Sequence, residues 1–310
     1  MSKFAIVFAG QGSQSVGMMA GFADMPVVQR TFEEASDILK LDLWQMMVDG
    51  PAEVQNQTIN TQPLMLTAGV ATFRAWQEKN GGAGDYFAGH SLGEYTALVA
   101  AESLTFADAL PLVRYRARAM QDAVPEGTGG IAAVLGLDVE LVRAVCRDAA
   151  QGEVLEAVNL NSPGQIVIAG HKTAVERGML LAKERGAKRA LLLPMSVPSH
   201  CALMQPAAEK LSEYLGNITL QSPKTPVVQN AQVAAFGTVA EIKQALFEQL
   251  FCPVRWIETV QFMAAQGAST IIECVPGKIL TGLNKRIDGN LSCLAVSDTA
   301  SLAAAIAATQ

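Results

Sequence analysis

The sequence predicts an α/β fold built on a mainly parallel sheet, and three observations predict it. Short apolar runs rich in β-formers alternate along the chain with longer helical stretches. The pentapeptide Gly89-His90-Ser91-Leu92-Gly93 writes a sharp turn between such a run and a helical one. Half of the 310 residues are hydrophobic, enough for one large domain with an insertion or for two domains sharing a core.

Strand-like runs occur at 4–8, 86–88, 131–135, 154–158, 166–169, 190–193, 227–228, 270–274 and 293–296. The first is Phe-Ala-Ile-Val-Phe, a short apolar run. Helical stretches between them include 70–78, 92–101, 106–123, 139–149 and 173–185, with another starting near Ala202 and an Ala-rich one in the tail. From about Gly127 to Pro198 the order reads β-α-β-β-α-β, the pattern of a small split βαβ unit. Turn formers flank it, "VPEGTGG" at 124–130 and "PMSVPSH" at 194–200, as expected where an inserted unit leaves and rejoins a larger one. The expected division is 1–126 with 198–310 for the large part and 127–197 for the small one.

Composition removes several function classes. A formal net charge of −6 with 17% charged residues offers no basic surplus for nucleic acid. The N-terminal apolar run stops at Gly10, too short for a signal-peptide core, and no run approaches the roughly 20 residues of a membrane span. Five scattered cysteines without a C-x-x-C pair read as reduced thiols in a cytoplasmic protein. After the first strand, Gly10-Gln11-Gly12 invites a dinucleotide-binding reading, but Ser15 stands where the third glycine is required. The chain has neither a P-loop nor a His/Cys cluster with metal spacing, so nucleotide and metal chemistry have no support.

Acyl chemistry does have support. In G-x-S-x-G the strand must turn into a helix so abruptly that only glycine fits on either side of the serine, which leaves Ser91 exposed beside the helix N-terminus. That helix start places N–H groups near an oxyanion formed at Ser91. A serine nucleophile needs a base, and the chain has only three histidines. His200, in a loop of prolines and small residues leading from a strand into a helix, is favoured, with His171 and His90 as alternatives. In the helix 106–123, at about 100° per residue, Arg116 falls on the apolar face with Leu112, Val113, Ala119 and Met120. A desolvated guanidinium needs a partner. The plain reading is an internal carboxylate or snorkelling, and the functional one is a clamp on a substrate carboxylate.

The segments "GQGSQ" at 10–14, "GHSLGEYTAL" at 89–98, "RARAMQ" at 116–121, "NLNSPGQIVIAG" at 159–170, "VPSHCALM" at 197–204 and "PGKILTGL" at 276–283 occur in order over nearly the whole chain. Together they resemble the malonyl-CoA:acyl carrier protein transacylases of bacterial type II fatty acid synthesis. The resemblance implies an α/β-hydrolase-like large domain with an inserted ferredoxin-like small domain and an active site in the cleft between them. It implies Ser91 as the nucleophile that becomes malonylated and His200 as base and then acid. The N–H groups of Gln11 and Leu92 would form the oxyanion hole, and Arg116 would hold the malonyl carboxylate. A main-chain carbonyl, at the position matching Gln249, would orient the histidine, with Asn159 and Asn161 in supporting places. Implied substrates are malonyl-CoA and acyl carrier protein, handled by a monomer without a bound cofactor, nucleic acid or membrane. An acyltransferase of a polyketide or polyunsaturated fatty acid pathway is the alternative, and a serine hydrolase a more distant one. One departure stands out, Val275 where the family has glycine, in a turn whose effect on acyl selectivity the sequence leaves open.

Overall fold

The computed structural model describes residues 3–194 and 197–310. Met1 and Ser2 of the N-terminal reading, and Met195 and Ser196 of the 194–200 junction, lie outside the described residues. The strands among the described residues are β1 (Lys3–Phe8), β2 (Tyr86–Gly89), β3 (Gly129–Leu135), β4 (Leu155–Ser162), β5 (Gln165–His171), β6 (Arg189–Leu192), β7 (Val227–Val228), β8 (Ala268–Glu273) and β9 (Ser292–Ala295). Each falls on one of the predicted runs, with β4 extending four residues beyond the run at 154–158.

Two sheets form. The first has the order β7-β2-β1-β8-β9 and pairs in parallel throughout. In its central strand β1 every residue after Lys3 is buried, which is why that stretch carries no polar alternation. Phe8, at the end of β1, meets Phe73 and Phe87 edge to face at centroid distances of 5.9 and 6.1 Å.

The second sheet has the order β4-β5-β3-β6 and is antiparallel. Helices Val139–Ala150 and Lys172–Glu184 complete the β-α-β-β-α-β order of this stretch. Val142, Val145, Val175, Ile166 and Ile168 give it a core of its own. A main-chain seam ties it to the rest: Leu160 N–H donates to the Val254 carbonyl at 2.9 Å, and Val254 N–H donates to the Val158 carbonyl at 2.8 Å.

One helix is much longer than its sequence signal. The stretch expected at 70–78 belongs to Thr58–Glu78, which carries Pro63 inside it. Residues 61–73 are all buried, so no polar face gives the 3.6-residue period away. No helix among the described residues is long and apolar enough to cross a membrane.

Candidate active site

Strands β1 and β2 run side by side with Phe8 opposite Gly89, so the loops leaving their carboxyl ends face each other, where ligands of parallel sheets bind. The loops touch. A Cβ on Gly10 would lie 2.2 Å from the His90 carbonyl oxygen, and one on Gly93 would lie 2.1 Å from that of Phe8. Glycine is therefore required by main chain pressing on main chain. Between these contacts Ser91 takes φ +53°, the left-handed region that a non-glycine residue enters only when its surroundings hold it there. The helix Gly93–Ala100 starts at once, with Gly93 N–H donating to the His90 carbonyl and Glu94 N–H to that of Ser91.

Ser91 Oγ donates to His200 Nε2 at 2.7 Å. His200 Nδ1 donates to the main-chain carbonyl of Gln249 at 2.7 Å, a pure acceptor that fixes the tautomer and leaves Nε2 free to take a proton. His200 is 2% exposed. Burial, reinforced by the charge of Arg116, pushes its pKa down to about 3, so the ring is neutral and basic at neutral pH. The other two histidines are engaged elsewhere: His90 Nε2 donates to Asn161 Oδ1 at 2.8 Å, and His171 Nδ1 accepts from Val154 N–H at 3.0 Å.

Arg116 is 1% exposed, on the apolar face where the periodicity puts it. It has no carboxylate partner among the described residues, contrary to the plain reading. Nη1 donates to Gln62 Oε1 at 3.0 Å, and Nη2 donates to Gln249 Oε1 at 2.9 Å and to Ser91 Oγ at 3.3 Å. The guanidinium lies over the Tyr95 ring, 5.4 Å from its centroid, and Nε has no acceptor among the described residues. Amide oxygens orient the cation without neutralising it, so its charge remains for an anion beside the serine.

The loops that bear Gln11 and Leu92, the residues expected to meet an oxyanion, adjoin here. A Cβ on Gly10 would be 3.4 Å from the Leu92 nitrogen, which puts the Gln11 and Leu92 main chains on adjoining strands of loop. The Gln11 side chain donates to Thr58 Oγ1 at 3.1 Å, fastening its loop to the start of the long helix.

A cleft of about 480 Å³ opens outward between the two sheets, lined by Gln11, His90, Asn159, Asn161, Leu193 and Leu280 among others. Asn159 Oδ1 is buried there with no partner among the described residues, and Asn161 is committed to His90. Val275 is wholly buried in the bend after β8, with its side chain against Gly69 of the long helix.

Three residues in the site escape a reading by sequence: Gln62, Glu94 and Asn230. All are polar and at most 1% exposed, and their partners lie up to 141 positions away. A polar residue inside an apolar helical stretch, as Gln62 is, was the only signal available for any of them.

The chain matches known proteins along almost its whole length. The family model described as the acyl transferase domain matches residues 5–288. The malonyl CoA-acyl carrier protein transacylase of Salmonella typhimurium is 53% identical over 307 residues, 99% of each chain. That of Bacillus subtilis is 44% identical over 308 residues, 99% of this chain and 97% of the relative. The acyl-carrier-protein S-malonyltransferase of Burkholderia pseudomallei matches with a TM-score of 0.97 at 56% identity, covering 98% of this chain and 99% of that one. A malonyl-transacylase solved in complex with its type II PKS acyl-carrier protein matches with a TM-score of 0.98 at 52% identity, covering 99% of this chain and all of that one. A serine on a strained turn, a neutral histidine against it and a match spanning almost every residue place this chain in the acyl transferase family, among the malonyl CoA-acyl carrier protein transacylases.

Proposed function

We propose that this chain moves the malonyl group of malonyl-CoA onto the phosphopantetheine thiol of acyl carrier protein by way of a malonyl-serine at Ser91, supplying fatty acid elongation. The observation that carries the reading is Ser91 Oγ, which reaches His200 Nε2 at 2.7 Å and receives an N–H from the unneutralised Arg116 at 3.3 Å. A hydrolase triad holds its histidine with a carboxylate, and here the partner is a main-chain carbonyl.

In the first half-reaction Arg116 binds the malonyl carboxylate, and Ser91 Oγ attacks the thioester carbon while its proton passes to His200 Nε2. The N–H groups of Gln11 and Leu92 receive the oxyanion. The C–S bond breaks and His200 returns the proton to the CoA sulfur. In the second half-reaction the pantetheine thiol gives His200 its proton and attacks the acyl carbon. Collapse breaks the C–Oγ bond, and the proton goes back to Ser91. The steps assign every proton to His200 and need no resident cofactor; CoA and pantetheine thioesters are substrates. Gln249 orients both the base and the clamp, and Asn159 and Asn161 line the thioester's path.

We read the parallel layer, 1–126 with 198–310, as an α/β-hydrolase-like domain, and 127–197 as a ferredoxin-like insertion. The five cysteines, all free, fit a cytoplasmic setting. A polyketide carrier is the second acceptor, favoured by the relative solved with a type II PKS acyl-carrier protein. Mass spectrometry of the chain mixed with malonyl-CoA, then with each holo-carrier protein in turn, tests both. A malonyl adduct on Ser91 that a carrier discharges faster than water supports transfer, and the faster carrier identifies the pathway. An adduct lost to water at the same rate with and without carrier overturns the reading.

A further inference from the structure

Beneath the serine turn lies a buried polar pair that the transfer chemistry leaves unused. Asn230 follows β7, and its carboxamide grips the turn on both sides of His90: Oδ1 accepts from Ser91 N–H at 2.7 Å and Nδ2 donates to the Gly89 carbonyl at 2.6 Å. The main-chain N–H of Asn230 donates in turn to Glu94 Oε2 at 2.7 Å. Glu94 stands in the first turn of the helix that continues from Ser91, so the contacts close into a ring. Glu94 and Asn230 are 0% and 1% exposed.

The ring meets a specific mechanical need. Ser91 at φ +53° holds a conformation that persists only if its neighbours enforce it. Bonds of the helix start secure the carbonyls of His90 and Ser91. The Ser91 N–H points the other way, and Asn230 is what secures it. We propose that Glu94 is a positioning residue for acylation: by fixing Asn230 it holds the turn so that Ser91 Oγ stays between His200 and Arg116. The proposal rests on the transfer reading above.

The form of the carboxyl fits that task. Burial pushes the Glu94 pKa up to about 8, against the opposing influence of the Asn230 N–H, the Gln249 amide and Arg116. Glu94 Oε2 carries the hydrogen bond from the Asn230 N–H, whereas Oε1 has no hydrogen-bond partner among the described residues. A glutamine would present the same acceptor, whereas an alanine would leave the Asn230 N–H buried and unpaired.

The test compares the full chain with Glu94→Gln, Glu94→Ala and Asn230→Ala, reading first-turnover malonylation of Ser91 by rapid-quench mass spectrometry, with kcat, KM and thermal melting alongside. The alanine variants should lose about 10²-fold in acylation rate, as expected for a misplaced nucleophile, with KM for malonyl-CoA within a few-fold of the parent. Glu94→Gln should recover the rate to within a few-fold. Glutamine as slow as alanine, or a loss carried by KM, overturns the proposal. If Glu94→Ala does not fold, Asn230→Ala decides alone, and an unchanged acylation rate there overturns it. Absence of malonyl on Ser91 in the unaltered chain overturns the transfer reading itself, whereas normal loading in every variant overturns this inference only.

Discussion

Arg116 and Gln249 are bound side chain to side chain, guanidinium Nη2 to amide oxygen at 2.9 Å, while the main-chain carbonyl of the same Gln249 holds His200. The proposed clamp and the proposed base are thus both held by one residue. Because the contact to Arg116 is with a neutral oxygen, the cation is oriented and its charge is left for substrate. Arg116→Ala should therefore lower kcat/KM for malonyl-CoA by about 10²-fold, the value of a hydrogen-bonded charge at 1.5–3 kcal/mol. Acetyl-CoA has no carboxylate to lose and should fall much less. Parallel assays with the two thioesters check it, and equal losses would refute the clamp.

Gln62 offers the converse experiment. Its Oε1 accepts from Arg116 Nη1 at 3.0 Å inside a fully buried stretch. Gln62→Glu would supply the internal carboxylate that the arginine lacks, in competition with malonate. KM for malonyl-CoA should rise by about tenfold or more, a cost of at least 1.4 kcal/mol, with little change for acetyl-CoA. Steady-state kinetics with both substrates read the difference.

The pH profile should carry the mark of His200. A histidine at its ordinary value of 6.5 would lose basicity on passing below that pH, but burial and Arg116 hold this one down to about 3. The neutral form is the base, so Ser91 loading measured on the free enzyme should stay level from pH 7 through pH 5. Stability follows the same shift: the unfolded chain takes up this proton near 6.5 and the folded one near 3. The contribution of neutral His200 is complete above 6.5 and is lost as pH falls toward 3. Glu94, whose carboxyl pKa burial raises to about 8, acts in the opposite sense over the same interval, so the loading profile and not the net stability carries the mark of His200.

Gly10→Ala should damage catalysis more than its single methyl suggests. The added carbon would sit 2.2 Å from the His90 carbonyl, main chain against main chain, with no side chain able to yield. Overpacking of this kind costs about 1–3 kcal/mol, and here the loop that moves is the one bearing Gln11. A lower melting temperature together with a slower first turnover is expected. A slower turnover with unchanged melting would place the effect in the oxyanion loop alone.

Much of this was legible in the chain, and the reasons for the rest are physical. The strand runs could be read because a buried parallel strand is a short, unbroken apolar word; FAIVF is one. The helix Phe106–Asp122 could be read through its internal Pro111 because one face is polar, and that same periodicity exposed Arg116 as misplaced. Thr58–Glu78 lacks such a face, so only its last turns were recognisable. Ser91 was legible from its turn, and His200 was favoured over His171 and His90 from the loop that carries it. Gln62, Glu94 and Asn230 were not legible, because a buried amide or carboxyl has meaning only beside its partner, and Asn230 meets Ser91 across 139 positions.

That long separation has a consequence during synthesis. Ser91 leaves the ribosome long before the residues it is hydrogen-bonded to or held by in the proposed mechanism: His200, then Asn230, and Gln249 last. A nascent chain shorter than this carries the serine without its machinery and cannot draw on the malonyl-CoA around it. On the proposed mechanism, acyl loading is reserved for chains that have been translated through Gln249 and have folded back on themselves.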